Sequence, residues 1–503
     1  MASNQASSRL PDRLGPSDRA IARAVSWSWA GNLFSQISWF GSLIVLGALL
    51  PPRSFGTVAI GLVIANAATL VQDAGSRGSI VVARQLRRRD IARTLAFNVS
   101  GGLVVALAIA VLAGPIIRHL APGGNAMVLR ILVLSVAVRA AAIAPMAVLQ
   151  RTMRFKLQST VGATSTFIAA LIAVSAALAG AGVWALVVRQ LAAAVLVPLL
   201  AWVVAYGPMR EELARGPRPR GAERRRGASA FFILAVTDFV GLSMDALVVG
   251  HSRGASQLGV YSLAFTLAFA PLTNFAWQIG KVIFPAAAAA PDLETITRRM
   301  YRSLRLAAAV LLPLLPPTLV LAPVVLPAIL GPEWKPMVVP FQILVCVGVG
   351  HALTIMIGDS LSGSGHIAFR ARLHLVWCAG MAGALVFFVS LDGIRGAALA
   401  HLTLFVPFAL VYAIYGTRLL GTNARAAAAA IRPVAISVAA QFATTFGLLL
   451  ALEYGTTATR GVAAFAAAAV GIGVVAAFFV RFEPEVLRDG RAFVGAVVSR
   501  RPA

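Results

Sequence analysis

Five charged residues stand where a charge is expensive. Arg139, Arg189, Asp238, Asp245 and Lys281 all fall inside apolar runs long enough to cross a bilayer. A charge at mid-bilayer costs roughly 2.5–3.5 kcal/mol on insertion scales, so each one that persists needs a partner or a wet cavity. Arg139 sits near the middle of its run, too deep to reach the headgroups, and Arg189 about a third of the way into its own. Lys281 is close to the end of its run, where its stem can carry the ammonium out to the lipid surface. Asp238 and Asp245 are seven residues apart, which places them on one helical face two turns apart. Guanidinium suits bidentate contact with phosphate. One reading is therefore a cavity whose first half holds an anionic headgroup while the acids of the second half act as a releasable counter-charge. The other is that Arg139 or Arg189 pairs with an aspartate or with backbone carbonyls and fixes packing. Asn32, Ser35 and Gln36 form a polar stripe with Trp27, Trp29 and Trp39 around it. Amides and indole faces suit sugar hydroxyls and sugar rings, although tryptophan near a bilayer edge also serves as an interfacial anchor. His351, His374 and His401 lie in apolar runs too, as proton carriers or as satisfied core histidines.

The elements that must position these residues are membrane helices. The chain has 503 residues, 59% hydrophobic and 12% charged, which points to an all-α polytopic membrane protein. Fourteen spans are expected, near 26–49, 57–75, 92–115, 127–149, 158–179, 182–206, 229–250, 258–283, 304–329, 337–360, 373–390, 396–417, 429–451 and 460–480. With the first 25 residues inside, 34 of the 44 Lys and Arg fall on inner segments, 6 on outer loops and 4 within spans. That bias supports both the count and an orientation with both termini cytoplasmic in a bacterial inner membrane. The longest polar interruption, 207–228, carries seven arginines and divides the chain. The expected organisation is a cytoplasmic tail (1–25), a six-helix lobe (26–206), a basic hinge loop (207–228), a second six-helix lobe (229–417), an extra helix pair (429–480) and an amphipathic tail (481–503). Ser79 to Arg93 is a second amphipathic inner piece. A weak repeat supports the two lobes: FGTVAIGLVIA from Phe55 resembles LGVYSLAFTLA from Leu258, at an offset near 205 residues. An even number of spans per copy implies an axis along the membrane normal, with a substrate site between the lobes.

Several function classes are excluded. The net charge of +26 lies between apolar spans, where anionic membrane lipids and the positive-inside bias account for it, so no nucleic acid is expected. The Gly280–Lys281 pair lacks the rest of a phosphate-binding loop, and no metalloprotease or nucleophile-elbow pattern appears. No cofactor, metal site or enzymatic activity is expected. Cys346 and Cys378 read as small buried residues, and the polar N-terminus lacks the apolar core of a cleaved signal.

Taken together, the run AVSWSWAGNLFSQISWFGSLIVLGALL, the QRTMRFK after the fourth span, GAGVWALVVRQL at the sixth and MDALVVGHSRGASQLGVYSLAFTLAFAPLTNFAWQIGKVIFPA resemble the polysaccharide transporter branch of the multidrug/oligosaccharidyl-lipid/polysaccharide exporter superfamily. The similarity covers residues 21 to about 375. The resemblance implies a flippase for surface polysaccharides such as lipopolysaccharide O-antigen or exopolysaccharide. In that family two six-helix lobes enclose a cavity that opens alternately to either face. The cavity moves a polyprenyl-pyrophosphate-linked oligosaccharide to the periplasmic leaflet, alongside a polysaccharide polymerase and export machinery. It also implies that cavity cations contact the pyrophosphate; by position Arg139 fits that role, and Asp245 matches an acid of the family's seventh span. Where this chain has Arg189 the family commonly has an uncharged residue. Relatives with fourteen spans resemble this chain in their extra pair, which can form a groove for a lipid tail. The second reading is a drug or cation antiporter of the multidrug and toxin extrusion type. That class is expected to place acids in the first-lobe cavity, where only Asp73, near the inner edge, is available.

Overall fold

A computed structural model describes residues 16–73, 80, 83, 85–120, 122, 124–214, 228–451 and 457–482. Among the described residues every expected span falls on helix, apart from the breaks described below. Ten helices among the described residues are long and apolar enough to cross a membrane, or eleven with one bent pair counted as a span. The first half of the chain comprises α1 (Pro16–Leu49), α2 (Pro52–Asp73), α3 (Arg88–Leu120), α4 (Ala126–Ala140), α5 (Ile143–Arg151), α6 (Phe155–Leu178) and α7 (Val183–Ala214). The second comprises α8 (Ala228–Gly241), α9 (Met244–Ala288), α10 (Leu293–Leu311), α11 (Leu315–Leu330), α12 (Val338–Gly363) and α13 (Ile367–Val411). The added pair is α14 (Ala424–Ala451) and α15 (Thr457–Phe482). Two of these are broken within their length, α9 at Gly254 (φ 76°) and α13 at Asp392–Gly393, so each supplies two passes.

Broken helices dominate the architecture, and their causes are local. The fourth span bends by 41° between α4 and α5. Pro145 has no N–H to give the carbonyl of Ala141, four residues back, and the indole of Trp202 on α7 donates to that oxygen instead at 2.9 Å. The seventh span breaks between Gly241 and Met244, where a side chain at Gly241 would collide with the ring of Trp377. Asp238 and Asp245 therefore lie on two separate helices rather than two turns apart on one face. The sixth span also differs from expectation: α7 runs on to Ala214, eight residues into the segment 207–228. Two ion pairs secure that extension, Arg151 Nε to Glu212 at 2.7 Å and Arg154 to Glu211 at 2.6 Å. Arg151 is 1% exposed and donates further to the carbonyls of Ile80 and Ala83, both 2.5–3.0 Å away. The rest of the hinge, 215–227, the tail 483–503 and residues 79, 81, 82 and 84 of the second amphipathic piece lie outside the described residues.

The two halves meet chiefly through α2 and α9, at a crossing that matches the sequence repeat. A methyl on Gly56 would strike the carbonyl oxygen of Ala255, and one on Gly259 would strike that of Pro52. Gly56 and Gly259 stand at equivalent places in the two copies, as do Pro52 and Ala255. The contact is thus reciprocal between the two copies of the repeat. Around it Phe55 sets its ring edge-on to the fully buried Trp334 at 5.3 Å. His251 Nδ1 lies 2.5 Å from the carbonyl of His119, and Gly47 faces Leu263 and Leu330. All these contacts belong to the end of the molecule whose loops are poor in arginine.

Candidate functional site

Arg139 occupies the last turn of α4, just before the Pro145 break. It continues the line Val128, Leu132 and Ser135 at helical spacings of four and three, and all three are fully buried. Yet Arg139 itself is exposed. The apolar strip of the same helix that faces outward, Met127, Leu134 and Val138, lies on another side, about 100° or more around the axis. Arg139 therefore lies on the side of α4 that its buried neighbours take, away from the outward apolar strip.

Arg189 is placed differently. On α7 its guanidinium donates to Ser42 Oγ at 3.2 Å and lies 5.8 Å from the ring of Trp39, so α1 holds it from the side. Ser42 in turn donates to the carbonyl of Trp39 at 2.8 Å. Asn32 and Gln36, one turn apart on α1 and half-buried, sit farther toward the arginine-rich end. That stretch of α1 packs on α6, with Gly31 against Ser159 and Phe34 5.5 Å from Phe167. Arg189 and Trp39 therefore meet between α1 and α7, the polar stripe lies farther along α1 against α6, and Arg139 stands on α4. Lys281 lies on α9 and its side chain is outside the described residues, as are those of Trp27 and Trp29.

The two acids turn toward histidines of their own half. Asp238 Oδ1 is 2.9 Å from His374 Nδ1, and Asp245 Oδ2 is 3.5 Å from His401 Nε2. His374 belongs to the first pass of α13 and His401 to the second, so the broken seventh span is tied to both. His374 Nε2 lies 3.2 Å from the Tyr412 hydroxyl, while Arg370 pairs with Asp359 at 2.6 Å and donates to Ser362. Gly280 is what leaves room for the Asp359 carboxylate. Asp238, Arg370, His374, His401 and Tyr412 line a cavity of about 30 Å3, roughly one water molecule's space. Asp238 is its lip, with a side chain 41% exposed. His351 is held differently, its ring between Phe269 and Phe408. Cys378 is buried and donates to the carbonyl of Thr237, and Cys346 is half-buried, so both behave as structural residues.

Three features escaped the sequence. Arg151–Glu212 joins the last residue of α5 to an acid in the extension of α7, and only the fold brings them together. The break beside Arg139 was signalled by Pro145, whose missing N–H falls inside the fourth span. Asp359 lies in the tenth span and is matched by Arg370, a charge pair separated by eleven residues across a turn.

Over 328 residues the chain is 24% identical to the succinoglycan biosynthesis transport protein ExoT of Rhizobium meliloti (strain 1021), a match covering 63% of this chain and 64% of that protein. It is 22% identical over 338 residues to the lipopolysaccharide biosynthesis protein WzxC of Escherichia coli (strain K12), covering 66% of this chain and 68% of the relative. The fold resembles the solved lipid II flippase MurJ in an inward closed conformation, with a TM-score of 0.66, 10% identity, and 92% of this chain and 99% of that one covered. The sequence profile of the family described as polysaccharide biosynthesis protein matches residues 45–339, more than half of the chain, from the end of α1 through the α2–α9 crossing to the start of α12, and the chain belongs to that family.

Proposed function

We propose that the protein is a flippase that carries a polyprenyl-diphosphate-linked oligosaccharide from the arginine-rich to the arginine-poor face by alternating access. One observation carries the reading: Arg139 is exposed at mid-span on the side of α4 taken by Val128, Leu132 and Ser135, beside a helix break. A guanidinium there compensates the desolvation of a diphosphate, so that only the head of the lipid crosses while its tail stays in the bilayer. Arg189, Asn32 and Gln36 then line the path on α1 and α7, Lys281 stands near the entrance, and Asp238 and Asp245 tune the opposite wall through His374 and His401. The closed α2–α9 crossing at the arginine-poor end supports a substrate-loading state. The two relatives, a succinoglycan biosynthesis transport protein and a lipopolysaccharide biosynthesis protein, support the substrate class.

The test is complementation of a flippase-deficient strain. We expect Arg139→Ala to lose polymer export with expression intact, a loss on the order of 10- to 100-fold from one charge-assisted contact. Arg139→Lys should recover part of it. Undiminished export by Arg139→Ala would remove this residue from the substrate path. The antiporter reading predicts gradient-driven extrusion of cationic dyes from proteoliposomes, which we expect to be absent.

A further inference from the structure

Four connections meet at the arginine-poor end and leave a groove of about 520 Å3 between them. One wall is α9 just past its break, where Arg253, Ser256 and Gln257 share a face with the buried Val260. The second is the break of α13, which carries Asp392 and Arg395. The third is the 3-10 turn Pro332–Met337, which brings Glu333. Pro52, at the head of α2, completes the floor and is the one lining residue from the first half.

Part of this lining is structural and part is available. Arg253 donates to the carbonyls of Val389 and Ser390 at 2.6 and 3.0 Å, at the end of the first pass of α13, where a helix leaves carbonyls without partners of its own. It is therefore a brace. Gly393, with φ 55°, lets the break come close, since a methyl there would stand 3.3 Å from Gln257 Oε1 and 3.7 Å from Arg253 Nε. Ser256, Gln257, Glu333, Asp392 and Arg395 are exposed, and among the described residues their side chains take part in no hydrogen bond or ion pair. Beneath them the floor is apolar, with Pro52, Val260 and Ile394 all buried.

We propose that this groove holds sugar of the exported head group on the arginine-poor face, and that its occupancy keeps the α2–α9 crossing shut. The source of the sugar rests on the flippase reading. Two carboxylates and two guanidiniums give the lining no net charge, so a free phosphate or a cation gains little from it. A sugar hydroxyl donates and accepts at once, and it can use carboxylate, amide and guanidinium side by side. The C–H face of a sugar ring suits the apolar floor. The link to closure comes from Pro52, whose carbonyl is the group that packs on Gly259 at the crossing. Separation of the halves takes Pro52 out of the groove and leaves a poorer site. A ligand of the complete groove therefore favours closure by the ratio of its two affinities. A delivered head group in this way bars the path behind it.

The probe is the oligosaccharide freed by mild acid from the lipids of the flippase-deficient strain used for complementation. Full-length protein in detergent micelles is titrated with it, with inorganic pyrophosphate and with calcium chloride. Opening of the crossing is read in parallel as maleimide labelling of Leu263→Cys, a position 1% exposed at the same junction, with Cys346 and Cys378 replaced by alanine. We expect the oligosaccharide to bind and at saturation to slow labelling by about threefold or more, and neither ion to do so. Arg395→Gln/Asp392→Asn keeps the net charge, removes two recognition groups and should weaken binding by about tenfold or more. Glu294→Gln/Arg298→Gln makes the same exchange at exposed positions of α10, at the arginine-rich end, and should change binding by less than about threefold. Each variant must keep the parent's melting temperature; Glu333→Gln replaces a groove pair that does not, with a loss of about threefold or more. Failure of the oligosaccharide to bind, equal losses in the two pairs, or an equal effect of either ion overturns the site. Binding without slower labelling overturns the link to closure. The flippase reading fails by a different result, the absence of complementation by the parent chain; a parent that complements but binds no oligosaccharide retains that reading and loses this one.

Discussion

Replacing Gly56 with alanine tests the crossing directly. Its new methyl would overlap the carbonyl oxygen of Ala255, which is backbone and cannot rotate away, and Gly259→Ala would do the same to Pro52. Forcing a methyl into a packed contact costs about 1–3 kcal/mol. If the cost falls on the closed arrangement alone, the ratio of closed to open shifts by a factor of roughly 5–150. The reporter is Leu263→Cys, a position 1% exposed that faces Gly47 across the same junction, in a background with Cys346 and Cys378 replaced by alanine. Its labelling by a membrane-impermeant maleimide measures the open fraction. Labelling should accelerate by about that factor in Gly56→Ala and in Gly259→Ala. The double variant should add less than the sum, since one displacement already separates both contacts. An unchanged labelling rate in a monodisperse Gly56→Ala protein would refute the claim that this crossing holds the halves together.

Other outcomes follow from the same geometry. Glu212→Ala strands Arg151, which is 1% exposed, and should cost about 3–5 kcal/mol, read as a lower unfolding temperature in detergent, with Glu212→Gln milder. Trp202→Phe leaves the carbonyl of Ala141 without its donor and should cost about 1 kcal/mol; it should also alter maleimide labelling of Arg139→Cys, and identical labelling would argue against the indole as the brace of that bend. Asp292 caps α10, and the Thr295 N–H, the Thr295 side chain and then Arg298 and Arg299 hold its carboxyl below the usual range. A carboxyl lowered on folding stabilises above its unfolded value, and that contribution is lost as pH falls through the folded one. Hydrogen exchange at Thr295 should therefore stay slow through the ordinary carboxylate range and quicken only below it, and quickening above it would contradict the assignment.

Much of the fold was legible because a bilayer admits few solutions. Apolar runs and the arginine bias marked the helices before any coordinates, and the faint likeness between residues near Phe55 and near Leu258 identified the very segments that cross. Local breaks were harder to see. Pro145 could have been read as a bend, but the break at Gly241 depends on Trp377, remote in sequence, and no periodicity reveals it. The same limit applies to the acids. Seven-residue spacing placed Asp238 and Asp245 together only as long as the helix between them was taken to be continuous, and their histidine partners come from a later hairpin. Arg139 could be singled out by depth alone, since charge inside hydrocarbon is costly wherever the fold puts it; which side of α4 it takes required the packed neighbours Val128, Leu132 and Ser135.

The paired glycines also bear on descent. Because Gly56 meets the copy that contains Gly259, a chain of half the length could make the same junction with a second molecule of itself, each glycine facing its own twin across a dyad. In such a dimer any substitution at that position would be felt twice. Fusion of two copies into one polypeptide frees the partners to diverge, so Ala255 and Pro52 can now differ although they occupy equivalent places.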